Sequence, residues 1–156
     1  MSRLVGLISD THGLLLPAAV EALDGVDLVL HAGDVGNLEV LSVLGGLAPV
    51  HAVWGNTDPP GAPHLVQAVR LDVEDVSIHV SHGHELGSPT PERLVARYDA
   101  DVVVYGHTHR ALVRRLGRQL VVNPGAAGPR RFGLAQSVAL LHVDGREVRA
   151  EIVTWA

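Results

Sequence analysis

Five short polar clusters each follow an apolar run: Asp10-Thr-His12, Gly33-Asp34, Gly55-Asn56, His82-Gly-His84 and Gly106-His107-Thr-His109. A glycine adjoins each one, where a backbone must turn sharply or approach a neighbour closely. Taken singly, Gly-Asp and Gly-Asn pairs form turns far more often than they bind anything. Jointly, Asp10, His12, Asp34, Asn56, His82, His107 and His109 pool two carboxylates, one carboxamide and four imidazoles, with no sulfur. One metal ion takes roughly four to six donors, so this set suits two ions sharing a carboxylate, about 3.5–4 Å apart. Imidazole mixed with oxygen fits Mn²⁺, Fe²⁺, Zn²⁺, Co²⁺ or Ni²⁺ and argues against Ca²⁺. The expected cofactors are two divalent metal ions, with manganese the leading expectation and Fe, Zn, Ni or Co the alternatives.

The elements between the clusters explain how they could meet. Leu4–Ile8, Asp27–His31 and Val50–Trp54 read as strands separated by helical patterns at Pro17–Leu23 and Asn37–Leu44. Asn37 is placed to cap the second helix and Gly45-Gly46 to stop it. This β-α-β-α-β order implies parallel strands with right-handed crossovers. The proline-rich segment 58–64 is a loop, after which the rhythm changes. Leu65–Leu71 and Val76–Ser81 read as an antiparallel pair around Glu74-Asp75, and a helix over Pro91–Tyr98 follows Thr90. Asp101–Tyr105, Ala111–Leu116, Leu120–Val122, Ser137–Val143 and Val148–Trp155 read as strands, with Asp144-Gly145 a hairpin turn. In open α/β sheets ligands bind beyond the carboxyl ends of the strands, where every polar cluster here is predicted to fall. Residues 1–156 are expected to form one α/β domain.

The ordered motifs D-x-H, G-D, G-N, an H before glycine and G-H-x-H resemble the calcineurin-like metallophosphoesterase superfamily, in particular its small bacterial and archaeal phosphodiesterase branch. They run from Asp10 to His109, and the N-P-G motif of that family follows at Asn123-Pro124-Gly125. The resemblance implies a four-layer α/β/β/α sandwich of two facing mixed β-sheets with outer helices. It also implies that Asp10, His12, Asp34 and His109 hold one metal, and Asp34, Asn56, His82 and His107 the other, with Asp34 as the bridge. The implied reaction is hydrolysis of a phosphodiester by attack of a metal-bridging hydroxide on phosphorus, with monoesters a secondary expectation. One position departs from the family pattern. Where many members place a histidine after the G-N asparagine, and the small branch more often a cysteine, this chain has Thr57. Threonine's pKa is far too high for a proton donor near neutrality. His84 is the candidate substitute donor and a candidate substrate contact, as are Arg130 and Arg131. His31 and Asp58 are expected just behind the ligands, Asp58 either orienting a ligand histidine or capping a loop.

Composition narrows the remaining choices. With 156 residues, 47% hydrophobic and 19% charged, the chain is of core-forming globular type. The absence of cysteine excludes disulfides, thiolate-bound zinc and a cysteine nucleophile. The absence of lysine excludes Schiff-base chemistry and a Walker lysine. A net charge of −5 and few aromatic residues count against nucleic-acid binding, and thus against a nuclease of the same superfamily. No apolar stretch approaches the roughly 20 residues of a membrane helix, and the first apolar run meets Asp10 too early for a signal peptide, so a cytoplasmic location is expected. A small-molecule phosphoester is the expected partner, with a homodimer through exposed strand edges as an option. The competing reading is a protein-binding scaffold of the same fold, as in the similar retromer subunit of eukaryotes.

Overall fold

A computed structural model describes residues 2–155. In chain order the elements are β1 (Ser2–Ile8), α1 (Pro17–Ala22), β2 (Leu28–His31), α2 (Leu38–Gly45), β3 (Val50–Ala52), β4 (Val69–Val73), β5 (Val76–Val80), α3 (Pro91–Arg97), β6 (Val102–Val104), β7 (Leu112–Leu116), β8 (Gln119–Asn123), β9 (Ser137–Asp144) and β10 (Glu147–Thr154). The strands form two five-stranded sheets, ordered β10-β9-β1-β2-β3 and β4-β5-β6-β8-β7. In the first, β1, β2 and β3 run parallel, and β9 lies antiparallel to β1 on its other side. In the second, β5, β6 and β8 are parallel, with β4 and β7 antiparallel at the edges.

Side-chain alternation places the layers. Val5 and Leu7 of β1 point into a core between the sheets, where they meet Ile78 and Val80 of β5, Val102 and Val104 of β6, and Val122 of β8. Ile8 and Val29 point outward and are covered by Ala19 and Leu23 from the α1 region and by Val40 and Leu44 of α2. Val103 and Val121 point outward from the second sheet under Leu94 of α3. The result is the four-layer α/β/β/α sandwich of two facing mixed sheets with outer helices. Truncating a fully buried side chain such as Leu7 or Leu30 to alanine would cost about 2–5 kcal/mol.

The helix starts follow from their caps. The Asn37 side chain accepts a hydrogen bond from the Val40 amide, and Thr90 accepts one from the Arg93 amide, with Pro91 in the first turn. The strand expected over Leu65–Leu71 is corrected: β4 begins only at Val69. Val66 instead pairs with Val53 as an isolated parallel bridge beside β3. The chain finishes the edge of the first sheet there before crossing to the second, so one apolar run serves two sheets. A 3₁₀ turn at His84–Leu86 follows β5, where the sequence showed only a loop.

Candidate metal centre

All five polar clusters lie just beyond the carboxyl ends of parallel strands. Asp10, Asp34 and Asn56 follow β1, β2 and β3 of the first sheet, while His82, His107 and His109 follow β5 and β6 of the second. The site is therefore a seam between the two sheets. Five of its residues have left-handed backbone: Asp10, His12, Asp34, His107 and His109, with φ between 46° and 72°. Side chains other than glycine rarely adopt this region unless the surroundings enforce it. Close packing also fixes two glycines, since a Cβ on Gly55 would overlap the Asp34 carboxylate and one on Gly106 would overlap Ser9 Oγ.

The side chains converge. His109 Nε2 lies 3.4 Å from Asp10 Oδ1, and His12 Nε2 lies 4.0 Å from the same oxygen and 3.7 Å from Asp34 Oδ2. His82 Nε2 lies 3.2 Å from Asp34 Oδ2 and 3.8 Å from Asp10 Oδ1. Asn56 Oδ1 lies 3.0 Å from His82 Nε2 and 3.2 Å from His107 Nδ1. Two overlapping groups, Asp10–His12–His109 and Asp10–Asp34–His82, thus bring their ligand atoms within 4.8 Å of one another, close enough to hold a metal ion. The seven residues singled out by the motifs are all brought together here.

The chemistry of the donors fits a cation. His82 Nδ1–H is committed to the Ala32 carbonyl at 2.8 Å, which turns Nε2 toward oxygens of Asp34 and Asn56. A neutral imidazole would aim a lone pair at those two acceptors, an arrangement that only a proton or a metal ion relieves. Asp10 Oδ1 and His12 Nε2 are buried with no hydrogen-bond partner, both facing this space. The other Asp10 oxygen is held by Ser9 Oγ at 2.6 Å and the His107 amide at 3.2 Å.

The electrostatics agree. Burial opposes charge on Asp34, yet His82 and the Thr57 amide outweigh it and hold the carboxyl well below its ordinary range. Burial pulls His82 down, but Asp34 and Asp10 win and its pKa is raised. His12 and His107 are lowered, chiefly by burial. An ionised Asp34 beside His12 and His107, both biased toward the neutral form, suits a divalent cation, which would take the place of the proton that Asp34 and Asp10 favour on His82.

The remaining expected residues fall into three groups. His84 stands at the rim, its ring 5.3 Å from His82 and 6.4 Å from His107, with a buried and unpartnered Nδ1. Arg131 is exposed, and its charge contributes to lowering His12. Arg130 is exposed and makes no hydrogen bond or ion pair among the described residues. His31 is fully buried behind the site, bonded to Thr11 and Gly33. Of the two roles weighed for Asp58, its hydrogen bonds are those of loop capping: the carboxylate accepts from the Val35, Gly36 and Gly55 amides and bonds to no histidine among the described residues. Asn123 of the N-P-G motif donates to the Gly106 carbonyl and Thr108 Oγ1, bracing the loop that carries His107 and His109. Ser9 and Phe132 were missed. Ser9 carried a signal, a hydroxyl directly before the first aspartate, whereas Phe132 meets His109 only through the fold.

This fold and site define a metallophosphoesterase, and residues 4–146 match the calcineurin-like phosphoesterase superfamily domain. The chain belongs to that family. It is 34% identical over 160 residues to a probable metallophosphoesterase of Methanothermobacter thermautotrophicus, covering 96% of this chain and 91% of that one. It is 28% identical over 166 residues to a phosphodiesterase of Methanocaldococcus jannaschii, covering 96% and 98%. Among solved structures, wild-type Vps29 of Entamoeba histolytica complexed with zinc superposes with a TM-score of 0.81 at 24% identity, covering 97% of this chain and 98% of that one. That last likeness concerns the fold.

Proposed function

We propose that this protein is a dinuclear metal-dependent phosphodiesterase. The observation that carries the reading is the pair of overlapping ligand groups around Asp10 and Asp34, with Asp10 Oδ1, His12 Nε2 and His82 Nε2 all aimed into one space. Asp10, His12, Asp34 and His109 would hold one ion, and Asp34, Asn56, His82 and His107 the other. Asp34 Oδ2 lies between His12 and His82, which supports a place as shared ligand, while Asp10, common to both groups, has Oδ1 within 4.0 Å of His12, His82 and His109. Held by these residues, two divalent cations would acidify water to give a nucleophile at neutral pH and would neutralise charge on phosphoryl oxygens.

The chain's own residues do the rest. Ser9, Thr57 and Asp58 orient the carboxylates and loops through the hydrogen bonds above, so the ligands need little rearrangement. Arg131 adds positive charge at a site in a protein of net negative charge. His84, at the rim beside His82 and His107, is the candidate to protonate a departing oxygen, since Thr57 cannot. The ligand set is nitrogen and oxygen without sulfur, which suits Mn²⁺. The relative named a phosphodiesterase supports a diester substrate.

Metal analysis of the wild type beside Asp34→Asn, coupled to a panel of diesters and monoesters, tests the reading. The wild type should carry about two equivalents of metal and hydrolyse activated diesters, and the variant should lose both. Mn²⁺-loaded wild type that hydrolyses no activated diester would overturn the reading in favour of a binding scaffold.

A further inference from the structure

Phe132 is the most exposed large hydrophobic residue among those described, at 77%. Its backbone is left-handed, with φ 55°, a conformation otherwise shared here by five site residues, two turn or loop residues (His64 and Glu74) and glycines. For a bulky side chain that is a real outlier. The ring is held edge-on to His109, with centroids 6.2 Å apart at 68°, within the range of favourable aromatic pairs.

The loop carrying it is built onto the site. Its base is stitched to the end of β1, with the Ala127 amide donating to Ser9 O and the Gly128 amide to Asp10 O. A Cβ on Gly128 would overlap the Thr11 carbonyl, so the loop lies directly on the first motif. Gln136 closes it, donating to Gly128 O at 2.6 Å, and the Leu134 amide donates to Arg131 O across the tip. Arg131 and Phe132 are therefore presented side by side at the rim. One offers charge for a phosphoryl oxygen, the other an apolar plane.

We propose that Phe132 determines specificity: its exposed ring forms one wall of the substrate position beside His109 and stacks on a planar, apolar ester substituent. The proposal rests on the phosphodiesterase reading and deepens it by naming the substrate class, diesters bearing an aryl or heteroaryl group. An unoccupied ring face in water gains by covering such a group. An alkyl substituent would gain much less.

The test compares phenylphosphonate with methylphosphonate, neither of which is hydrolysed, as ligands of the Mn²⁺-loaded protein in calorimetry. Wild type should prefer the phenyl ligand, and Phe132→Ala should lose about fivefold of that preference while metal content and methylphosphonate affinity hold. Phe132→Trp should keep the preference. An unchanged preference in Phe132→Ala, or equal loss for both ligands, would overturn the proposal. Hydrolysis of bis-p-nitrophenyl phosphate by the wild type separates the two readings. If it proceeds while the preference ignores Phe132, only this proposal falls; if no activated diester is cleaved, both fall.

Discussion

His31 Nε2 lies 3.0 Å from Thr11 Oγ1, and the direction of that hydrogen bond is set by its neighbours. Thr11 Oγ1 donates its proton to the Val35 carbonyl at 2.7 Å, so it must accept from His31. On the other side the Gly33 amide donates to His31 Nδ1 at 3.1 Å. The imidazole is thus neutral, protonated on Nε2 alone, and it ties the first two site loops together. Burial is the main reason its pKa falls to about 4.

A pH signature follows. Unfolded, this histidine takes a proton near 6.5; folded, only near 4. Between those values the unfolded state binds more protons, so folding stability falls as pH drops from about 6.5 to about 4, by up to about 3 kcal/mol from this group. Urea unfolding of metal-free protein across that window should show the loss, and His31→Gln should flatten it. A wild-type acid limb identical to that of the variant would refute the assignment.

Asp58 caps three backbone amides from two loops, those of Asp34 and Asn56, at 2.9–3.1 Å. Charge-assisted bonds of this kind are worth more than neutral ones, and Asp58→Asn should destabilise the fold by about 2 kcal/mol. Because the same amides set where Asp34 and Asn56 stand, metal affinity should drop with it. Unfolding midpoints and metal titration check the two effects separately.

The Thr57 amide donates to Asp34 Oδ1 at 2.9 Å. Thr57→Ala should therefore change turnover by less than about threefold, even for a poor-leaving-group diester, because alanine keeps the amide. His84→Ala should slow that substrate much more than one whose leaving group needs no proton. A drop of orders of magnitude in Thr57→Ala would reverse these roles.

Much of the site was legible because its residues sit at strand ends, where apolar runs stop abruptly before Asp10, Asp34 and His107. The helix caps Asn37 and Thr90 were equally plain, since capping is a local property. What escaped was non-local. Val66 belongs to a run that looks like one strand, but its partner is Val53 in the other sheet. Asp58 could be seen to follow Asn56 closely, yet not which amides it would meet. Phe132 reads as an ordinary loop residue until the fold sets its ring against His109.

The first sheet carries Asp10, Asp34 and Asn56, and the second carries His82, His107 and His109, so the gap between the leaves is itself a dimension of the binding pocket. Leu30 and Val80, deep in the filling, lie between the sheets that carry the carboxylates and the imidazoles. Trimming either should retune ion affinity at a rim its side chain never reaches.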